Sequence, residues 1–378
     1  MKYDFIICGC NSPEVWVKSG FFNRSGHFLK LLDADDRAAS VLYLYMCESR
    51  PSLKNSYPLS RSGALGAKTK FIEFSPLFGE RSRCFRNAGN CYINSQVRGF
   101  RRRGEKTIYL FFTPAGIRYA GGFGEDLSVF DAFDNWLEIP EWQDKRSALE
   151  SYYGDIKKEA GLITVNTEYM KEFLETGRDN VFLIPNGWDA GIFSPGRALA
   201  APPEFKNIPR PVCGYAGSVH SRFDLELLEY LAEHNRQASF AVAGKIWNDT
   251  REKFLKTVSA NPNIYYLGEK PYGELPSYIA AFDLALILHR ENELSKSMDP
   301  IKIYEYTSMK KNIIATASGK FPPFANIILA SGYRAFAAAV NKYLKEPFLG
   351  GGDMNAYSWE KRLEALFDLI REKTGAAL

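Results

Sequence analysis

The chain lacks the features that would tie it to a membrane span, a disulfide framework or a zinc site. Its six cysteines are Cys8, Cys10, Cys47, Cys84, Cys91 and Cys213. They form no Cys-x-x-Cys pair, and none stands with histidine at zinc-ligand spacing. No window reaches the apolar length that crosses a bilayer. The opening MKYDFIICGC has one lysine and a short apolar run. It has neither the longer apolar stretch nor the small-residue cleavage site of a signal peptide, and it reads as a first strand. A reduced, cytoplasmic compartment is therefore the expectation. The formal net charge is only +4, too mild a bias to point to a nucleic-acid partner. Internal repeats and low-complexity tracts are also missing.

What is present is a globular composition, 46% apolar and 24% charged over 378 residues, long enough for two ordinary cores. Short β-like runs alternate with longer helix-like stretches, as in parallel sheets covered by helices. Strands are expected at Tyr3–Cys8, Ser40–Tyr45, Lys70–Phe74, Thr107–Phe112, Leu127–Phe130, Gly161–Val165 and Val181–Ile184. In the second half they are expected at Pro211–Tyr215, Ser239–Ala243, Ile264–Leu267, Leu284–Leu288 and Asn312–Ala315. Most are nearly continuous apolar runs, the mark of strands buried on both faces. Four prolines in the ten residues ending at Pro211 exclude a helix or a central strand there. This divides the chain into an N-terminal domain (1–195), a linker (196–210), a second domain (211–354) and a C-terminal helical segment (355–378). The expected class is α/β, with two Rossmann-like doubly wound domains facing across a cleft, where ligands meet the carboxyl ends of the strands.

Two segments carry phosphate chemistry. Cys213-Gly-Tyr-Ala-Gly-Ser-Val-His-Ser-Arg-Phe-Asp224 follows a strand and precedes a helix. Gly214 and Gly217 allow close backbone approach, Ser218 offers donors, Arg222 supplies a planar cationic fork, and Asp224 is placed to cap the helix. An ordinary strand-to-helix turn explains the glycines equally well. In Ser297-Met-Asp-Pro-Ile-Lys-Ile-Tyr-Glu-Tyr306, Asp299-Pro300 marks a helix start with proline at the first helical position. Lys302 and Glu305 are three apart and share a helix face. A lysine there can meet phosphate beside the helix N-terminus while the carboxylate accepts from ribose. A solvated Lys/Glu pair is the plain alternative, but the flanking strands set this helix start at the carboxyl edge of a sheet.

From about residue 108 onward the chain resembles the GT-B glycosyltransferases, both the retaining group 1 family and the glucuronosyltransferase branch that builds exopolysaccharides. The matching segments are Leu162–Met170, Ile184-Pro-Asn-Gly-Trp-Asp-Ala-Gly-Ile-Phe-Ser-Pro195, Gly214–Asp224, Asn263–Gly268, Pro271–Asp283, Pro300–Tyr306 and Tyr357-Ser-Trp-Glu360. The resemblance implies transfer of a sugar from a nucleotide-diphosphate donor, a UDP-sugar first, to a hydroxyl acceptor in surface polysaccharide or glycolipid synthesis. It implies no metal and no cofactor beyond the sugar nucleotide as co-substrate. Gly217, Ser218 and Arg222 would line the diphosphate, Lys302 would meet phosphate and Glu305 would hold the ribose. Lys245 and Tyr304 complete the expected donor set, and the last helix would cross back onto the N-terminal domain. Ser297 stands eight positions before Glu305, where the retaining family often has glutamate, so inversion and retention both stay open. Lys310-Lys-Asn312 replaces the usual Gly-Lys-Pro turn, with Asn312 tolerant of the left-handed conformation.

On the acceptor side, Asp131 and Asp134 in Phe130-Asp-Ala-Phe-Asp-Asn-Trp136 are candidates for the general base. Asp131 is favoured for its nearness to the strand end, and a capped turn is the alternative. His27, with Arg24, is a further candidate near the first loop. Arg81, Arg83, Arg86, Arg98, Arg101, Arg102, Arg103 and Lys106 face only Glu105, which suits either a solvated helix face or peripheral contact with an anionic membrane carrying a lipid-linked acceptor. A GT-A enzyme would need a metal at Asp-x-Asp. Asp33-Ala-Asp35 has the letters but precedes its strand. A GT-B-shaped epimerase and a non-catalytic nucleotide-sugar-binding protein are the other readings.

Overall fold

The computed structural model of the chain describes residues 1–9, 11–46, 53–55, 65–66, 68–74, 97–100, 104–194, 199–317 and 321–375. The chain divides into two compact units, 1–185 with 362–378, and 186–361.

Unit 1 is built on a sheet of β1 (Tyr3–Gly9), β2 (Ala38–Met46), β3 (Leu53–Asn55), β4 (Thr69–Phe74), β5 (Lys106–Phe111), β6 (Leu127–Ala132), β7 (Leu162–Val165) and β8 (Val181–Leu183). Their spatial order is β3-β4-β2-β1-β5-β6-β7-β8. All pairs are parallel except β3 with β4. β1 is buried along its whole length, as its unbroken apolar run requires. Helices α1 (Pro13–Ser19), α2 (Arg24–Ala34), α3 (Arg146–Glu159) and α4 (Glu168–Phe173) belong to this unit. α2 starts where the Asn23 side chain accepts from the Gly26 N–H at 3.0 Å, and α4 where Thr167 accepts from Met170, each satisfying an orphan donor.

Unit 2 has a sheet of β9 (Val212–Ala216), β10 (Ser239–Ala243), β11 (Ile264–Gly268), β12 (Leu284–Ile287), β13 (Ile313–Thr316) and β14 (Ile327–Ala330). It is parallel throughout, in the order β11-β10-β9-β12-β13-β14. Alternate residues feed the two faces: Cys213, Tyr215, Leu284 and Leu286 enter one core, and Val212, Ala216, Ala285 and Ile287 the other. Helices α5 (Leu225–His234), α6 (Asn248–Ala260), α7 (Leu275–Ala280), α8 (Glu293–Lys296), α9 (Ile301–Ser308) and α10 (Tyr333–Tyr343) complete the unit. β14 and α10 were not expected from the sequence. β14 is a short edge strand with Leu329 49% exposed, so it lacks the apolar run that marked the others.

The division between units falls at Pro185/Asn186, upstream of the proline-rich stretch. On the unit 2 side the Asn186 backbone N–H donates to the Asp299 carboxylate at 2.6 Å, and Trp188 Nε1 donates to the Met354 carbonyl at 2.7 Å. The prolines allow only a 3-10 turn at Pro203–Asn207. That stretch packs on unit 2 through Ile208 in its core and a Lys270–Glu204 ion pair at 2.8 Å. The last helix, α11 (Trp359–Lys373), begins in unit 2 and belongs to unit 1 from Arg362 onward. There Phe367 lies 6.0 Å from the Tyr3 ring and 5.8 Å from Phe5, with the Arg37 guanidinium 4.0 Å over it.

Candidate functional site

In each unit the strand order reverses once, at β1/β5 and at β9/β12, and loops leaving the carboxyl ends at such a point splay apart to form a crevice. In unit 2 the loop after β9 is fastened on both sides. Val219 N–H donates to the Lys245 carbonyl at 2.8 Å and Trp247 N–H to the Val219 carbonyl at 2.9 Å, tying it to the β10 loop. Asp224 N–H donates to Leu288 and Arg290 N–H to Arg222, both at 2.9 Å, tying it to the β12 loop. Asp224 caps α5 by accepting from Leu227 N–H at 3.0 Å, as the sequence suggested.

Gly217 is required here for space. A Cβ on it would collide with Cε of Lys302, whose side chain runs across it from α9. The Lys302 ammonium lies 5.5 Å from the Tyr215 ring centre. Burial holds the Lys302 pKa below its ordinary value, Arg222 pushes the same way, and Glu305 opposes both. Glu305 is 4% exposed and accepts from the Tyr272 hydroxyl at 2.8 Å. Burial raises its pKa to about 7 despite the Tyr272 hydrogen bond and the Lys302 charge. His220 and His289 stand beside the two cations, and burial lowers both imidazoles, His220 to about 3. Two cations, two neutral imidazoles and one buried carboxyl thus meet at the switch point. This set can compensate a diphosphate and hydrogen-bond a diol.

The start of α9 differs from expectation. Pro300 occupies the cap position and makes no side-chain cap. Asp299 instead takes the Asn186 N–H and the Tyr304 hydroxyl, the latter at 2.9 and 3.0 Å, while the Asn186 amide donates back to the Asp299 carbonyl at 2.5 Å. Tyr304, expected among the donor-binding residues, is 1% exposed, with its hydroxyl on Asp299. At the other end of α9 the left-handed residue is Lys310, with φ 55. Asn312 uses its side chain instead, accepting from Leu349 N–H at 3.0 Å and donating to the Pro347 carbonyl at 3.0 Å.

In unit 1 the favoured base sits in a closed arrangement. Arg24 grips Asp131 with both ends of its guanidinium, Nε to Oδ1 at 2.6 Å and Nη2 to Oδ2 at 2.9 Å, and the Thr164 hydroxyl donates to Oδ2 at 2.6 Å. Asp131 is 0% exposed and Arg24 2%. These three donors occupy both carboxylate oxygens that a base would offer to an acceptor hydroxyl. Asp131 is a structural anchor in this geometry. Asp134 lies beyond the end of β6, half-buried. His27 is 1% exposed on α2, one turn from Arg24.

No protein-family model matches the chain. A Bacillus subtilis protein named as a teichuronic acid biosynthesis glycosyltransferase, TuaH, is 20% identical over 225 residues. The match covers 56% of this chain and 56% of that protein, so the chain spans little more than half the length of this relative. Among solved structures, HepE from Anabaena, in complex with UDP, superposes with a TM-score of 0.68 at 13% identity, over 98% of this chain and 100% of that one. Sucrose-phosphate synthase from Thermosynechococcus elongatus gives 0.69 at 14% identity over 100% of both. Trehalose 6-phosphate synthase from Burkholderia multivorans gives 0.71 at 9% over 100% of both.

The fold is GT-B.

Within this GT-B chain the remaining expected residues take these places. Ser218 is half-buried and its carbonyl accepts from the Tyr215 hydroxyl at 3.1 Å. Lys245 is exposed beside the loop, its ammonium 5.2 Å from the Trp247 ring centre. Asp33 accepts from the Thr69 hydroxyl at 2.6 Å and Asp35 pairs with Arg37 at 2.6 Å. Among the described residues no three His, Cys, Asp or Glu side chains are grouped to hold a metal, and no helix is long and apolar enough to cross a membrane. Of the basic segment, Arg81, Arg83, Arg86, Arg101, Arg102 and Arg103 lie outside the described residues. Arg98 is exposed, and Lys106 donates to the Thr374 carbonyl. A cavity of about 600 Å³ lies in unit 1 between β8 and α11, lined by Leu183, Ile184, Asp368 and Arg371 among others. None of the expected site residues lines it. The sequence missed Tyr272, although it stands in one of the segments carrying the resemblance, and left His289 unassigned.

Proposed function

We propose that the chain is a metal-independent GT-B glycosyltransferase that moves a sugar from a UDP-sugar to a hydroxyl acceptor in polysaccharide or glycolipid synthesis. The observation that carries this is Lys302 lying across Gly217, with Arg222 and Glu305 beside it, at the β9/β12 switch point. Arg222 and Lys302 would compensate the charge that grows on the diphosphate as the sugar leaves, the preorganised stabilisation that transfer requires. Glu305 and its Tyr272 partner would hold the ribose hydroxyls. HepE binds UDP, which supports the choice of uridine nucleotide.

For the acceptor, the Arg24–Asp131 lock favours Asp134 over Asp131 as general base, with His27 as the alternate. The basic run Arg98–Arg103 is proposed to touch an anionic membrane, each cation contributing about 1 kcal/mol near the surface. Changing Arg101, Arg102 and Arg103 to glutamate is expected to abolish binding to anionic vesicles at low salt. Vesicle binding that survives the change contradicts the contact.

The test of function is release of UDP from a UDP-sugar with an acceptor present, in excess EDTA. Acceptor-dependent release that survives chelation is the expected result. Sugar inversion without an acceptor would point to an epimerase, and loss of turnover restored by manganese would overturn metal independence.

A further inference from the structure

The β9 loop carries a side chain whose proton is fixed by the backbone. Arg222 N–H donates to Nδ1 of His220 at 3.1 Å, so Nδ1 is an acceptor and the neutral ring must carry its proton on Nε2. The ring is also held in orientation, edge-on to Trp247 with centroids 6.3 Å apart. Trp247 is itself fixed through its backbone hydrogen bond to Val219. Doubly protonating this ring would break the Arg222 hydrogen bond and place a third cation beside Arg222 and Lys302. Those two charges and burial disfavour the imidazolium, and the neighbouring His289 is disfavoured in the same way by Lys302, Arg222 and His220.

We propose that His220 is a fixed, neutral hydrogen-bond donor to the diphosphate, offering Nε2–H alongside the two cations of the site. The assignment rests on the donor reading above and goes beyond it. Two cations supply the charge, while His220 supplies direction without adding repulsion. The loop is preorganised for this because Nδ1 already accepts from the Arg222 N–H, so no proton is taken up on binding.

The test uses the full chain, with UDP and uridine as probes, and the parent and three variants are compared by calorimetry. His220→Ala is expected to weaken UDP on the order of tenfold or more, the loss typical of a hydrogen bond to a charged group, and to leave uridine affinity unchanged. His220→Gln places an amide N–H near Nε2 and is expected to recover most of the loss. His220→Asn places an acceptor near Nδ1 and is expected to recover the parent melting temperature but not the UDP affinity. Recovery of UDP affinity by Asn and not by Gln would make His220 a loop-holding residue and overturn the proposal. So would an alanine variant that binds UDP like the parent. Nitrogen NMR of the imidazoles is the second readout: His220 is expected to stay singly protonated in the UDP complex at pH 7, and a doubly protonated ring overturns the assignment. A parent that binds no UDP overturns the donor reading and this assignment together, whereas a parent that binds UDP isolates the His220 question.

Discussion

Glu305→Gln is expected to make the ligand-free protein more stable and a poorer binder of donor. Burial raises the Glu305 carboxyl from 4.5 to about 7, so the folded state holds its proton where the unfolded state has released it. The cost of ionising it in place therefore appears as pH rises through 4.5 and is fully present above about 7. At about 1.36 kcal/mol per pH unit, the displacement corresponds to roughly 3 kcal/mol. Glutamine keeps an oxygen for the Tyr272 hydroxyl but cannot ionise, so it removes that cost. For a unit of this size roughly 2–4 °C accompanies each kcal/mol, which sets an upper bound of about 6–12 °C at pH 8.5. At pH 4 both side chains are neutral and the two proteins should melt alike. Melting curves at the two pH values, with and without UDP, test this. The variant should melt higher than the parent at pH 8.5 and gain less from UDP. An equal melting temperature at pH 8.5, or the same gain at pH 4, would refute the reasoning that burial makes the ionised Glu305 carboxyl costly in the folded protein.

Gly217→Ala should displace the Lys302 side chain, because the new Cβ would occupy the space its Cε holds; UDP titration should show a loss comparable to that of Lys302→Ala. Asp131→Asn should leave Arg24 buried without its counter-charge and lower unfolding stability by about 3–5 kcal/mol, measured by urea denaturation. Asp134→Asn should lower turnover by roughly 10²–10⁴-fold, the contribution of a general base, with UDP affinity kept in calorimetric titration.

The sequence exposed the sheets because parallel strands buried on both faces read as unbroken apolar runs, as in Leu284–Leu288 and Tyr3–Cys8. It exposed the β9 loop because glycine and an N-capping aspartate have local causes: Gly217 makes room for Lys302, and Asp224 caps α5. The parts it hid depend on partners distant in the chain. Arg24 and Asp131 are 107 residues apart, and only the folded sheet turns a favoured base into a locked ion pair. Asp299 looked like a helix cap, but Asn186, 113 residues away, takes its carboxylate. The division at Pro185/Asn186 likewise lies where Asn186 and Trp188 bond to Asp299 and Met354, partners far along the chain.

The most direct measurement is calorimetric titration of UDP into the parent chain and into Lys302→Ala and Arg222→Ala. Saturable binding by the parent is expected, weakened by about 1.5–3 kcal/mol in each variant, the worth of a hydrogen bond to a charged group. Parent-like affinity in both variants, or no saturable binding by the parent, would contradict the assignment of the β9/β12 switch point as the donor site.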